Sequence, residues 1–231
     1  MKKISYTSLM LLLCSLVFCS CLSINRSIKL NKDGSGQETI KIIFSKEFYT
    51  IMSTMTLIMD STRKQEYLDS LYNDQIFIGK VKDEYDSIPG VKVADVTSER
   101  NSDSSNTFKI KYDFDNIQSI GKAMSNINDK KDDYEISVTW LKEEGNVVFN
   151  YNYKEPSIND SISNDSLTEQ MKKGMSTMFD GASMHFEIEF PYEVISSNAT
   201  SASGNTLIWI YTMSDLFSKG SMNLEAVMKE N

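Results

Sequence analysis

Alternation of apolar and polar residues with a period of two constrains this chain more than any other feature of its sequence. In one segment the apolar side chains of Phe108, Ile110, Tyr112 and Phe114 are separated by charged ones. The same alternation recurs in seven further segments, which are 24–30, 40–44, 134–140, 147–153, 186–190, 207–211 and 222–228. Successive residues of a strand point to opposite faces, so the pattern indicates sheets with one buried face. Antiparallel pairing is typical of such sheets.

Two turn sequences lie between these strands. Residues 31–36 read Asn-Lys-Asp-Gly-Ser-Gly, and residues 143–146 read Glu-Glu-Gly-Asn. Glycine, asparagine and aspartate readily adopt the positive φ angles that tight hairpins require. We therefore predict a hairpin at each of these two positions.

Helical patterns interrupt the strands. Four segments have apolar spacing or capping residues typical of helices, and these are 45–59, 63–88, 115–127 and 166–178. The second is long enough for two helices, and Pro89 ends it. Strands and helices in this order predict an α+β fold, with several amphipathic helices packed against an antiparallel β-sheet. We predict one such domain over residues 21–231, with a helical insert around 45–90.

The N-terminus has the layout of a bacterial lipoprotein signal. Lys2 and Lys3 precede an apolar run that is too short to cross a bilayer. The run ends in Phe-Cys-Ser-Cys at residues 18–21, which resembles a lipobox of the looser kind found in Bacteroidetes-type lipoproteins. We predict that residues 1–20 are a signal peptide and that Cys21 is lipidated. The alternative is an ordinary secretory peptide that is cut elsewhere.

Cysteine and charge limit what the exported chain can do. All three cysteines lie within residues 1–21, so the exported domain has no disulfide and depends on packing alone. Loss of Lys2 and Lys3 with the signal changes the net charge from −8 to −10. This charge disfavours nucleic acid as a partner and disfavours electrostatic adhesion to anionic lipid. Acyl chains on Cys21 are the expected anchor. The absence of an acidic run in 22–27 favours a periplasm-facing location in the cell envelope.

The sequence offers little for catalysis. The only histidine is His185, and the alternation places it on a polar strand face with Glu187 and Glu189. A catalytic triad or a histidine metal site needs more converging groups than these. We therefore predict no enzymatic activity, no cofactor and no metal site. An envelope hydrolase with an Asp/Glu pair is the catalytic alternative, although no spacing singles out such a pair.

Two groups of side chains suit ligand binding. The first comprises methionines at helical spacing, namely Met52, Met55, Met59, Met171, Met175 and Met178. The second comprises aromatic residues on strands, namely Trp140, Phe149, Tyr151, Tyr153 and Trp209. Flexible thioethers suit an adaptable pocket for acyl chains, and aromatic side chains can line a concave sheet. Plain core packing is the commoner role of both groups.

The C-terminal third resembles a known family. Residues 191–198 have the pattern P-x-x-V-x-x-x-N, and residues 204–209 read Gly-Asn-Thr-Leu-Ile-Trp. These stretches resemble the end of LppM-type lipoprotein domains, with Leu207 in place of a valine. The Asp-Gly-Ser-Gly hairpin at 33–36 is similar to the opening hairpin of the same family. The resemblance implies an α+β domain with a lipid-binding-like shape, no catalytic residues, and a structural role for Asn198.

These observations together predict a function. We expect a lipid-anchored, non-catalytic protein of the bacterial cell envelope whose domain binds a hydrophobic or lipid ligand. The alternative is a structural or assembly lipoprotein that acts through protein–protein contacts. The expected partners are the membrane, through the N-terminal lipid, and either a lipid or an envelope protein.

Overall fold

A computed structural model describes residues 22–58, 73–126, 135–154 and 179–230. Eleven strands lie within these ranges: β1 (Leu22–Leu30), β2 (Gly36–Phe44), β3 (Val91–Arg100), β4 (Asn106–Phe114), β5 (Glu135–Glu143), β6 (Asn146–Lys154), β7 (Ser183–Glu189), β8 (Glu193–Ser197), β9 (Ser201–Ser203), β10 (Thr206–Thr212) and β11 (Ser221–Lys229). Four helices lie within the same ranges: α1 (Lys46–Ile58), α2 (Asp74–Asp86), α3 (Gln118–Asn126) and α4 (Met213–Lys219). The expected α+β class is confirmed.

The prediction of several amphipathic helices overstated the helical part of the fold, because most apolar residues recur with the period of strands. Helices α1, α2 and α3 match the predictions for 45–59, the second half of 63–88, and 115–127. The first helix predicted within 63–88 lies outside the described residues, as does the helix predicted over 166–178. Helix α4 was not predicted. It has seven residues and begins after Thr212, whose Oγ1 accepts a hydrogen bond from the Asp215 amide at 3.0 Å.

The strands form two sheets rather than the single antiparallel sheet that was predicted. One sheet has seven strands in the order β3-β4-β2-β1-β7-β10-β9, and the other has four in the order β5-β6-β11-β8. Strands β1 and β7 pair in parallel, with Ser23 opposite Ser183, while the other pairs are antiparallel. Alternation reports which face of a strand is buried but not which strand lies beside it, so the parallel pair was not foreseen.

The core lies between the two sheets and beneath α2. The ring of Tyr151 on β6 lies 5.6 Å from that of Phe186 on β7, so the sheets meet through aromatic side chains. Helix α2 covers the β3–β4 side, where Phe77 packs on Phe108 with ring centroids 4.4 Å apart. Each of these contacts buries a large apolar area, which is the main favourable term in folding.

Both predicted hairpins are present. In the first, the Asn31 amide donates to the Ser35 carbonyl at 2.8 Å, and Gly34 adopts a φ of +84°. Gly36 is required here for space, since a Cβ at this position would collide with the Lys29 carbonyl oxygen and the Phe114 ring. The second hairpin joins β5 to β6 through Glu144 and Gly145, both at positive φ.

Strand register divides the seven-stranded sheet into two ends. Leu22, Phe44, Asn106 and Arg100 are consecutive partners across β1, β2, β4 and β3. We call this the Leu22 end. The 31–36 hairpin marks the opposite end, which we call the hairpin end. The β5–β6 hairpin lies there too, because a Cβ at Gly34 would come within 3.3 Å of the Trp140 ring on β5.

Candidate functional site

The seven-stranded sheet has a polar outer face that carries a cluster of lysines. Lys41 on β2 lies directly opposite Lys109 on β4, and Lys111 is two residues further along β4. Within the described ranges no carboxylate forms an ion pair with Lys41 or Lys109. Like charges opposite each other destabilise a sheet, so these lysines are not explained by stability.

These lysines border a shallow groove of about 330 Å³. The groove is lined by hydroxyl, amide and charged side chains from three strands and one turn, namely Thr39, Lys41, Thr97, Glu99, Asn101, Thr107 and Lys109. We call it the lysine groove. Two ammonium groups that have no ion-pair partner among the described residues, with hydroxyl donors beside them, suit an anionic group on a ligand or partner.

A second groove, of about 380 Å³, lies at the hairpin end. Several of its charged and polar side chains already have partners. Lys29 forms an ion pair with Glu189 at 2.9 Å, and Gln37 Nε2 donates to Asp113 Oδ1 at 2.7 Å. This groove is therefore a weaker candidate for ligand binding than the lysine groove.

A buried ion pair lies in the core of the described domain. Arg26 on β1 and Glu38 on β2 are 3% and 0% exposed. The Arg26 Nε and Nη2 atoms donate to the two carboxylate oxygens of Glu38 at 2.5 and 2.9 Å, and the Tyr112 hydroxyl donates to Glu38 as well. The guanidinium also lies 5.2 Å above the Phe186 ring. Both Glu38 oxygens are thus occupied, which gives this pair a structural role rather than the role of a free acid or base.

The surroundings of this pair change the pKa values of its members. Burial alone would lower the pKa of Arg26, but the adjacent Glu38 carboxylate raises it well above its ordinary value. Burial, together with the negative charge of Glu38, raises the pKa of Tyr112. Burial likewise raises the pKa of Tyr85, and it raises the pKa of Tyr151 to about 12. These phenols are therefore neutral in the folded protein at physiological pH.

Stability should fall at high pH because of these tyrosines. A tyrosine whose pKa is raised on folding stabilises the fold fully below its unfolded pKa of about 10. That contribution is lost as the pH rises from about 10 toward the folded pKa of Tyr151, about 12. We expect the thermal midpoint to decrease over this range, together with the appearance of tyrosinate absorbance. A midpoint that stays constant through this range would contradict the burial of these phenols.

Most of the predicted binding residues are placed in the core or lie outside the described residues. Cys21, the predicted lipidation site, lies outside them, and so do Met59, Met171, Met175 and Met178. Met52 is half-buried in α1. Phe149, Tyr151 and Trp209 are fully buried, so they fill the core and do not line an open concave sheet. Trp140 and Tyr153 are half-buried against the same core.

His185 lies on the outer sheet face with Glu187 and Glu189, as the alternation predicted. It is half-buried rather than fully solvated, and its Nε2 lies 3.1 Å from the Ser183 hydroxyl. Among the described residues, no group of three or more His, Cys, Asp or Glu side chains is arranged to hold a metal ion. No helix in the described ranges is both long and apolar enough to span a membrane.

The motif residues of the C-terminal third join the two sheets. The Trp209 Nε1 on β10 donates to Asn198 Oδ1 at 2.6 Å, and the Glu225 amide on β11 donates to the same oxygen at 2.9 Å. The Asn198 Nδ2 donates to Asn223 Oδ1 at 2.8 Å. Asn198 thus links β10 of the seven-stranded sheet to β11 of the four-stranded sheet, in agreement with the structural role that the family resemblance implied.

The sequence analysis missed the buried ion pair, although the alternation contained a signal for it. Arg26 lies between Ile24 and Ile28, at a position that the period of two assigns to the buried face. Glu38 is likewise two residues before Ile40. An arginine and a glutamate at inward positions of two hairpin-linked strands indicate a buried pair.

The described residues therefore define a two-sheet α+β domain with an aromatic core, a buried ion pair and an open polar sheet face. Neither a protein-family model nor a curated protein matches the sequence. Among solved structures, the chain is similar to the folded domain of LppM from Mycobacterium tuberculosis, with 10% identity, 91% of each chain covered and a TM-score of 0.47. It is also similar to the Mu homology domain of Fcho1 from Danio rerio with a bound Eps15 peptide, with 9% identity, 93% of this chain and 81% of that chain covered, and a TM-score of 0.22.

The motifs at residues 191–198 and 204–209 resemble those of LppM-type domains, the family that includes this solved structure. None of these comparisons supports the Bacteroidetes-type part of the resemblance.

Proposed function

We propose that this protein is a non-catalytic lipoprotein of the cell envelope, held at the membrane by acyl chains on Cys21. The observation that carries the proposal is the position of Leu22, which directly follows the lipobox cysteine and is already part of β1. Leu22 is 7% exposed. An anchor at Cys21 would therefore hold the domain directly on the bilayer surface without a linker.

The domain acts by binding, through its outer sheet face. The interior between the sheets is filled by side chains such as Phe186, Leu207 and Trp209, which are at most 1% exposed. The lysine groove, in contrast, includes the exposed side chains of Lys41 and Lys109. These features favour surface contact with an acidic partner protein, which corresponds to the structural or assembly role of the sequence analysis. The periplasm-facing location is proposed from the sequence of residues 22–27, which has no acidic run.

A hydrophobic or lipid ligand is the second candidate. It is favoured by α1, whose residues 48–58 include no charged side chain. Native mass spectrometry of residues 22–231 after gentle extraction tests this candidate. Co-purified lipid of a defined class would support it, whereas a mass equal to that of the polypeptide alone would favour the partner-protein function.

Lipidation gives the first test of the proposed anchor. We expect the substitution Cys21→Ser to abolish incorporation of labelled fatty acid and to release the protein from the membrane fraction, because the thioether linkage needs this sulfur. The matched control is Cys19→Ser, which removes the neighbouring thiol and leaves Cys21 intact. Unchanged labelling in the Cys21 variant would show that the anchor is elsewhere.

Charge reversal in the lysine groove gives the second test. We expect the double substitution Lys41→Glu and Lys109→Glu to weaken cross-linking to envelope partners by about tenfold or more, equivalent to about 1.4 kcal/mol. Both lysines are exposed, so the fold should tolerate the change. The control is Lys80→Glu with Lys154→Glu, which alters the net charge equally at exposed positions outside the groove. Equal loss in both variants would show a non-specific effect of charge.

A further inference from the structure

The outer face of the seven-stranded sheet separates its positive charges from its negative ones. Lys41 on β2 lies beside Lys109 on β4, and Lys111 follows on β4. On the other side of β1, strand β7 carries Glu187 and Glu189 on the same face. Both glutamates are exposed, as are Lys41 and Lys109. The face is therefore basic over β2 and β4 and acidic over β7.

Few of these charges are used within the domain. Lys29 on β1 forms an ion pair with Glu189 at 2.9 Å. No ion pair in the described ranges includes Glu187 or any of the three lysines on β2 and β4. This holds even for Lys111, although Asp95 on β3 is its register partner. As far as the described residues extend, the three lysines and Glu187 are available to charges on another molecule.

We propose that the acidic partner of the lysine groove is a second copy of this chain, packed with its outer sheet face against the same face of the first. This inference rests on the proposed function, because it names the partner of the same groove. A two-fold axis along the strands, between β1 and β2, places β4 of one copy over β7 of the other. Lys109 and Lys111 then face the partner's Glu187, and Lys41 faces the partner's Asn25.

The strand register supports this arrangement. Rotation about an axis along the strands keeps each residue at its own level, and Lys111, Thr39, Ser27 and Glu187 are consecutive partners across four strands. Lys111 and the partner's Glu187 therefore lie at one level. The acidic strand β3 lies opposite β10 of the partner, so it meets no like charge. The outward residues of β10 are uncharged, namely Thr206, Ile208, Ile210 and Thr212.

Repulsion limits the strength of this contact. Asp113 on β4 comes opposite the partner's Glu189, but each is already engaged within its own copy. Gln37 donates to Asp113 at 2.7 Å, and Lys29 pairs with Glu189. The net charge of −10 on each exported chain also opposes association at long range. The dimer is therefore expected to be weak for proteins free in solution.

Anchoring in one bilayer compensates for this weakness. With the axis along the strands, the Leu22 ends of both copies lie at the same end of the interface, so both Cys21 anchors reach one membrane. The four central strands measure about 19 Å by about 30 Å, which gives about 600 Å² per copy and about 1,200 Å² in total. Specific interfaces begin near this size. Two anchors in one membrane raise the effective concentration of each copy for the other.

Zero-length cross-linking on a membrane tests the dimer. Cys21 is the only cysteine of residues 21–231, so the chain is coupled through this thiol to a maleimide lipid in phosphatidylcholine vesicles. A carbodiimide then joins lysines to carboxylates in direct contact, and a mixture of isotopically labelled and unlabelled protein identifies links between copies. We expect a dimer in which β4 peptides are linked to the peptide that contains Glu187. A chain that stays monomeric on the vesicles would overturn the proposal.

Complementary charge reversal separates a second copy from any other partner. Lys109→Glu with Lys111→Glu makes the β4 side acidic, and Glu187→Lys makes the β7 side basic. We expect each variant alone to lose about tenfold or more of the cross-linked dimer, and an equal mixture of the two to recover it, because opposite charges meet again. A mixture that stays as monomeric as its components would contradict the proposed face.

The matched control is Lys80→Glu with Lys154→Glu, which changes the net charge as much as the β4 variant does but lies outside this face. It should retain the dimer, and far-UV circular dichroism checks that every variant folds. A monomer on vesicles that still loses an envelope cross-link through Lys41→Glu and Lys109→Glu would overturn the second copy and leave the proposed function standing. Chemical coupling keeps this result independent of natural lipidation, which the Cys21→Ser experiment tests separately.

Discussion

Replacing Glu38 with leucine is expected to lower the free energy of unfolding by about 3–5 kcal/mol. The substitution replaces the carboxylate by an apolar side chain of similar size and leaves the Arg26 guanidinium buried without that carboxylate. The Tyr112 hydroxyl loses its acceptor as well. Folded domains are stable by about 5–15 kcal/mol, so a loss of this size would be evident in urea denaturation.

The matched control removes the whole polar cluster. The triple variant Arg26→Met, Glu38→Leu and Tyr112→Phe should recover most of the lost stability, since replacing a buried ion pair by apolar residues is often neutral or stabilising. A triple variant as unstable as the single one would show that packing volume, and not the uncompensated charge, causes the loss.

Replacing Trp209 with alanine is the other change with a large expected effect. Trp209 lies on β10 and is 1% exposed. Its Nε1 donates to Asn198, the residue after β8, which also accepts a hydrogen bond from β11. Loss of a buried tryptophan side chain leaves a cavity and should cost about 3–5 kcal/mol. We expect a lower denaturation midpoint by circular dichroism, with both sheets unfolding in one transition.

Trp209→Phe separates packing from hydrogen bonding at this position. The variant keeps an aromatic ring in the core and removes the Nε1 donor to Asn198 Oδ1. That oxygen still accepts from the Glu225 amide, so the expected cost is about 1–2 kcal/mol. If phenylalanine costs as much as alanine, the hydrogen bond and not the cavity dominates.

Local sequence patterns predicted most of the described strands and helices, because each pattern depends only on residues that are close in the chain. The alternation at 108–114 and 222–228 gave strands with the expected faces buried. The hairpin at 31–36 followed from its glycines, and the end of α2 from Pro89. Each of these signals concerns residues that are close in the chain.

These local patterns could not predict which distant strands pair with each other. Nothing in β1 or β7 indicates that Ser23 lies beside Ser183, because side-chain periodicity is the same in a parallel and an antiparallel pair. The separation into two sheets likewise depends on pairs of distant strands, such as β6 with β11. The lysine groove was missed for the same reason, since Lys41 and Lys109 become neighbours only through the β2–β4 register.

The parallel pairing of β1 with β7 determines the order in which the protein can fold. Strand β1 is the first of the described strands along the chain, yet β7 begins only at Ser183. Until that point β1 has β2 as its sole neighbour in the final strand order, and its other edge exposes unpaired amide and carbonyl groups. Contacts of such large sequence separation also slow folding. The seven-stranded sheet can therefore close only after residue 183 has been synthesised, and a chaperone would protect the open edge of β1 during that interval.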